Sequence, residues 1–157
     1  MSDDSTPLPP AMAELAEDFH ALAPRDRLQL LLELSDELPA LPDRYAGHLE
    51  AMEQVHECQS PLFLAVEVEA PAGDGAPDPT VHVYFDAPRE SPTTRGFAGI
   101  LHTGLDGLGA TEVLAVPDDA PYRFGLADAV SPLRLRGMVA MLSRIKRQVR
   151  EQAAVRS

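Results

Sequence analysis

The 157-residue chain has one cysteine, Cys58, in the stretch Glu53-Gln54-Val55-His56-Glu57-Cys58-Gln59-Ser60-Pro61. A thiol can act as a nucleophile, a redox centre or a soft metal ligand, and each role needs thiolate character supplied by a cation, a helix N-terminus or an imidazole. A lone cysteine can equally be a buried small hydrophobe without chemistry. The neighbours of Cys58 are charged or amide side chains, Ser60-Pro61 makes a turn, and an apolar run begins only afterwards. The thiol therefore sits at a loop tip leading into the core, and loops on rigid scaffolds are where reactive groups gather. His56 could activate it if the turn folds back, whereas Glu57 opposes ionisation. The residues alone leave both the inert and the functional reading open.

Other groups narrow the chemistry. With one Cys there is no internal disulfide and no Cys-rich cage, so the thiol is expected to be free and reduced. The histidines are His20, His48, His56, His82 and His102, with no His-Glu-x-x-His among them. A metal site would need His56 and Cys58 plus distant ligands, and no metal is assigned. A Cys-His hydrolase could be assembled from Cys58 and any of these rings, and a peroxide-reactive thiol is equally compatible. His82 and His102 read as structural or solvent-facing. Arg95 and Arg134 each fall in the first turn of an expected helix, where a cation opposes the helix dipole by about 0.3–1 kcal/mol. Either they are solvated or paired with an acid, or they hold a loop, an anionic sulfur or a partner's carboxylate. Gly104-Leu105-Asp106-Gly107-Leu108-Gly109 lacks a preceding strand and a following Lys, so it reads as a turn and not as a phosphate loop.

Thirteen Lys and Arg against twenty-five Asp and Glu give a net charge of −12, with 45% hydrophobic residues. This length supports one packed domain, and the composition is that of a folded chain. The charge is uneven. Residues 133–157 carry seven cations (Arg134, Arg136, Arg144, Lys146, Arg147, Arg150, Arg156) and one acid (Glu151), a local +6 that leaves −18 on residues 1–132. The acidic body argues against a nucleic-acid partner, which needs a basic footprint. The basic end reads either as cations complementing a terminal helix dipole or as a docking face. Met1–Pro10 has no basic and apolar regions of a signal peptide, and the longest strictly apolar run, Leu62–Val66, is far below a membrane span. The chain is expected to be cytoplasmic and not membrane-bound.

The elements that position these groups follow from periodicity. Met12, Leu15, Ala16, Phe19 and Leu22 form one helical face, and Leu28, Leu31, Leu32 and Leu38, widened by Leu30 and Leu34, a second that ends at Leu38-Pro39. The pair is expected to form a helical hairpin. From Pro39 to Ser60 no period holds, and a loop with one helical turn is expected. Leu62–Glu69 and Thr80–Phe85 read as antiparallel strands joined by the Gly, Pro and Asp-rich stretch Ala70–Pro79. Ser91-Pro92 and Ser131-Pro132 each supply an N-cap and a first helical residue. The first opens a helix through Gly104 with Phe97, Ile100, Leu101 and Leu105 inward. The second opens the last helix, striped by Leu135, Met138, Val139, Leu142, Ile145 and Val149. Thr111–Val116 and Tyr122–Val130 are short connections. The fold class is α+β, a small antiparallel sheet packed with helices from both ends of the chain, with a flexible segment over 1–10, one domain over 11–150 and a tail over 151–157.

Three stretches, taken in order, resemble the SufE family of sulfur acceptors. Val55-His56-Glu57-Cys58-Gln59-Ser60-Pro61-Leu62-Phe63-Leu64 is similar to the family's active-cysteine segment, in which Cys-x-Ser precedes an apolar and aromatic strand. Arg95-Gly96 with Phe97 and Ile100 resembles its basic-Gly helix start. Phe124-Gly125-Leu126, followed by Ser131-Pro132-Leu133-Arg134-Leu135-Arg136-Gly137-Met138, resembles its Ser/Thr-Pro-x-Arg-x-x-Gly signature. Order and separations agree from about Leu15 to Lys146. The family places Gly immediately before the Cys where this chain has Glu57, and commonly Trp where it has Phe63; an acidic residue of its middle region falls near Glu90, onto which no role is carried.

The resemblance implies a sulfur carrier that stimulates a pyridoxal-phosphate-dependent cysteine desulfurase. Cys58 would accept the outer sulfur of the desulfurase persulfide and deliver it to an iron–sulfur scaffold complex, with Arg134 in a supporting role and no cofactor of the carrier's own. A single Cys suits that role, because no resolving thiol of the same chain can discharge the persulfide.

Overall fold

The computed structural model of the chain describes residues 6–69 and 78–156. Its elements run α1 (Pro10–His20), α2 (Pro24–Glu37), β1 (Glu53–Gln54), β2 (Phe63–Glu69), β3 (Thr80–Asp86), α3 (Pro92–Leu105), α4 (Ala110–Leu114) and α5 (Pro132–Arg156). Short 3-10 turns lie at Leu49–Ala51, Ala120–Phe124 and Leu126–Asp128. The class is α+β, as expected.

Both N-terminal helices begin on a proline, whose fixed φ suits the first turn and whose missing N–H is no loss there. α1 buries Met12, Leu15, Ala16 and Phe19, the face its spacing dictates. α2 presents Leu31 and Leu34 to the core, with Leu38 buried just past its end, while Leu28 remains 37% exposed, so its buried stripe is narrower than the sequence indicates. The expected hairpin does not form as such. α1 and α2 scarcely touch, and each packs instead on α3. The reason is the close approach that glycine allows: a Cβ on Gly99 would lie 2.7 Å from the Leu34 carbonyl oxygen, and one on Gly96 2.6 Å from that of Leu31. α3 is thereby buried on nearly all sides.

β2 and β3 pair antiparallel, setting Leu64 opposite Phe85, Val66 opposite Val83 and Val68 opposite Val81 on the buried face. The outer face carries Glu67 and Tyr84, and Arg44 and Tyr45 fold over it: Arg44 Nε donates to Glu67 (2.6 Å), Tyr45 Oη donates to Glu67 (2.7 Å), and the guanidinium stacks over both tyrosine rings. The stretch expected to be a loop holds, besides a 3-10 turn, the two-residue strand β1, which pairs Glu53 with Leu64 and Gln54 with Phe63. Further along the same edge of β2 no strand pairs among the described residues, and α5 satisfies the backbone instead. Val66 N–H donates to Gln148 Oε1 (3.1 Å), Val68 N–H to Gln152 Oε1 (3.0 Å), and Gln152 Nε2 donates to the Val66 carbonyl (2.7 Å). A buried edge without such partners would leave costly unpaired groups.

The short connections near 111–116 and 122–130 are α4 and two 3-10 turns. α5 runs without a break past residue 150 to Arg156. Leu8 packs on the core, and Arg123 Nη1 donates to the Thr6 carbonyl (2.5 Å). Residues 1–5 of the expected flexible segment, 70–77 of the expected strand connection and Ser157 of the expected tail lie outside the described residues. No helix among the described residues is long and apolar enough to cross a membrane.

Candidate functional site

The Cys58 loop is closed at its base by the core. Val55 and Leu62 are both fully buried, and the Val55 N–H donates to the Leu62 carbonyl at 2.8 Å. Residues 56–61 project from that closure over the first half of α5. Within the loop the Cys58 N–H donates to the Val55 carbonyl (3.2 Å), a tight turn that aims the side chain at α5. There the thiol rests on Gly137, where a Cβ would lie 3.0 Å from Sγ. Cys58 is a free, half-buried cysteine packed against the edge of the hydrophobic core.

Two further contacts hold the loop. Ser91 Oγ donates to Ser60 Oγ at 2.6 Å. Sequence assigns Ser91 as the N-cap of α3, but its side chain makes no capping bond and is spent on the loop. Ser131 does cap α5, its Oγ accepting the Arg134 N–H at 3.3 Å. On the other flank Arg144 of α5 reaches Glu57 (2.9 Å) and Glu53 (3.2 Å). Glu53 also accepts from Gln148 Nε2 (2.8 Å) and pairs with Arg147.

These contacts set the ionisation. Burial pushes the Cys58 thiol up to about 11, and the neighbouring Glu57 carboxylate adds to the rise while Arg144 offsets part of it. The hydrogen bond from Arg144 holds the Glu57 carboxyl below its usual range. His56 is exposed, and its charge bears on Glu57; burial, Glu57 and Arg144 govern the thiol. At neutral pH the closed loop therefore holds a protonated, sheltered thiol.

The remaining singled-out residues divide. Arg95 is a brace: its Nη1 donates to the Ala87 carbonyl (2.9 Å) and its Nε to that of Ser35 (3.2 Å), tying α2, the end of β3 and α3 together. Arg134 is exposed in the first turn of α5, one turn before Gly137, beside the exposed Leu133. His82 lies between Glu69 (3.1 Å) and Asp106 (3.5 Å) on the outer sheet face, and burial lowers His102. In the basic helix, Arg144 and Arg147 face Glu53 and Glu57, Lys146 bonds the Val116 carbonyl (2.6 Å) and Asp118 (2.8 Å), and Arg134, Arg136 and Arg150 face solvent. Among the described residues no three of His, Cys, Asp and Glu converge as a metal-ligand group. Sequence reasoning missed Arg144 and Glu53. The signal was present only as an arginine seven residues after Gly137, which puts both on one face of α5.

The fold and the site define a small α+β protein that carries one sheltered thiol on a short loop between paired strands. The chain belongs to the SufE family: a family model described as the Fe-S metabolism associated domain matches residues 13–149. An uncharacterized SufE-like protein of Mycobacterium tuberculosis (strain H37Rv) is 54% identical over 145 residues, covering 92% of this chain and 94% of that protein. A SufE-like protein of Synechocystis sp. is 26% identical over 131 residues, 83% of this chain and 74% of that one. The solution structure of a hypothetical protein from Thermus thermophilus superposes with a TM-score of 0.79 at 36% identity, covering 94% of this chain and 99% of that chain. Membership places the chain in iron–sulfur metabolism.

Proposed function

We propose that this protein accepts sulfur on Cys58 from a pyridoxal-phosphate-dependent cysteine desulfurase and delivers it to an iron–sulfur scaffold complex. The observation that carries the reading is the loop itself: the chain's one thiol stands at the tip of a six-residue loop whose base is locked in the core and whose tip is held by a few side-chain contacts. In the transfer, the Cys58 thiolate attacks the outer sulfur of the desulfurase persulfide. A bond forms between Sγ and that sulfur, the donor's S–S bond breaks, and the desulfurase cysteine leaves as a thiolate. No external oxidant or reductant is needed. The elevated thiol pKa keeps Cys58 unreactive until the loop lifts from Gly137 and the thiol meets water and the partner's charges. Against a stand-alone hydrolase or peroxide-reactive thiol stand that same elevated pKa and the lack of an imidazole among the groups acting on the thiol. Arg134, exposed one turn before the Gly137 on which Cys58 rests, supports the encounter by pairing with an acid of the desulfurase.

Intact-mass analysis after incubation with a cysteine desulfurase and cysteine tests the reading. One added sulfur is expected on the wild type and none on Cys58→Ser, with Arg134→Ala slower to load. No adduct on the wild type, or an equal adduct on Cys58→Ser, would overturn it.

A further inference from the structure

Glu57 and Arg144 stand out because they do opposite things to Cys58. Glu57 is next to the thiol in the chain and opposes its ionisation, while Arg144 favours it. They are bonded to each other at 2.9 Å, with Arg144 mostly sheltered (21% of its side chain exposed) and Glu57 half-exposed (49%). The rest of the network is asymmetric. Glu53, at the stem of the loop on β1, is held by Arg144, Arg147 and Gln148 of α5 and by the pairing of β1 with β2. Glu57, on the loop, is held to α5 through Arg144. Breaking that one bond would leave Arg144 in place, fixed by Glu53, and leave the stem closed by the Val55–Leu62 hydrogen bond.

We propose that the Glu57–Arg144 ion pair is an electrostatic latch that holds the Cys58 loop closed against α5. Glu57 and Arg144 are thus positioning residues for Cys58. The latch also makes the closed state sensitive to ionic strength, since a partly exposed pair weakens with salt. The inference deepens the sulfur-acceptor reading and rests on it for its purpose, but not for its test.

The test needs no desulfurase. Amide hydrogen exchange of the peptide spanning residues 56–60 is followed at low salt in the full-length wild type, Glu57→Gln, Arg144→Gln and Arg144→Lys, which keeps a cation facing both Glu53 and Glu57. Glu57→Gln and Arg144→Gln should each exchange about three- to fivefold faster in this segment, the loss expected for a partly buried ion pair, and Arg144→Lys should stay near the wild-type rate. High salt should speed the wild type and leave Glu57→Gln unchanged. Exchange is the chosen readout because it reports opening and not thiol ionisation; a role confined to the thiol pKa would leave it unmoved in all variants. Equal exchange in the wild type, Glu57→Gln and Arg144→Gln overturns the latch, as does an Arg144→Lys variant that exchanges as fast as Arg144→Gln. Faster exchange accompanied by a lower global melting temperature in Arg144→Gln points to loss of the Glu53 anchor, and Glu57→Gln, which leaves that anchor intact, then decides. A wild type that fails to accept sulfur while these rates behave as expected would count against the proposed function and leave the latch standing.

Discussion

A Cβ placed on Gly137 would lie 3.0 Å from the sulfur of Cys58, so the thiol lies in direct contact with the bare backbone of α5. A methyl group added there would sit closer to Sγ than ordinary packing tolerates, and the mobile partner is the loop, because Gly137 is buried within a 25-residue helix. Gly137→Ala therefore shifts Cys58 outward. The substitution also replaces glycine in a helix interior, which favours the helix by about 1 kcal/mol. The expected result is a protein of unchanged or slightly higher melting temperature whose thiol reacts several-fold faster with iodoacetamide at pH 8. A higher melting temperature without faster alkylation would show that the loop had absorbed the methyl group elsewhere.

The ionisation of Cys58 links folding to pH with a definite sign. Burial raises the folded thiol to about 11 from an ordinary value near 9. Between those values the folded protein keeps a proton that the unfolded chain has released, so the unfolded state binds fewer protons and stability falls as pH rises. The contribution of the neutral thiol is fully present below about pH 9 and is lost as pH approaches 11. Denaturant melts of the wild type and Cys58→Ser at intervals from pH 8 to 10.5 should show the wild type losing stability relative to the variant across that window. A constant difference would mean that the thiol is not sheltered in solution. Because Cys58 is only half-buried, the slope should be shallow.

Much of the fold is legible from period and punctuation. The stripes of α1 and α5, the alternation along β2 and β3, and the two Ser-Pro helix starts each encode their element locally. The site is less so, because its parts meet only through tertiary packing. β1 is two polar residues with no alternation, and it is a strand solely because Leu64 and Phe63 lie opposite. Ser91 has the residue type and position of a cap, yet its hydroxyl is bound to Ser60. Arg144 looks like one more cation on a basic helix until α5 lies along β2 and brings Glu53 and Glu57 within reach. The cysteine, its loop and the Ser-Pro-x-Arg-x-x-Gly stretch could be singled out from the sequence; that Gly137 forms the floor beneath the thiol could not.

The seam between α2 and α3 responds differently to an added methyl. At Gly99 the atom facing the missing Cβ is the Leu34 carbonyl oxygen at 2.7 Å, backbone within a helix, and so without the freedom of a loop side chain. Gly99→Ala must push the two helices apart. That movement also stretches the Arg95 bond to the Ser35 carbonyl, now 3.2 Å, which clamps the same pair of helices. Overpacking of this kind costs about 1–3 kcal/mol, more than the helix propensity of alanine returns. Gly99→Ala should therefore lower the denaturant midpoint while Gly137→Ala does not, although both replace a buried glycine in a helix. Equal midpoints for the two variants would show that α2 rides on α3 with slack that the packing of Leu34 against Gly99 does not reveal.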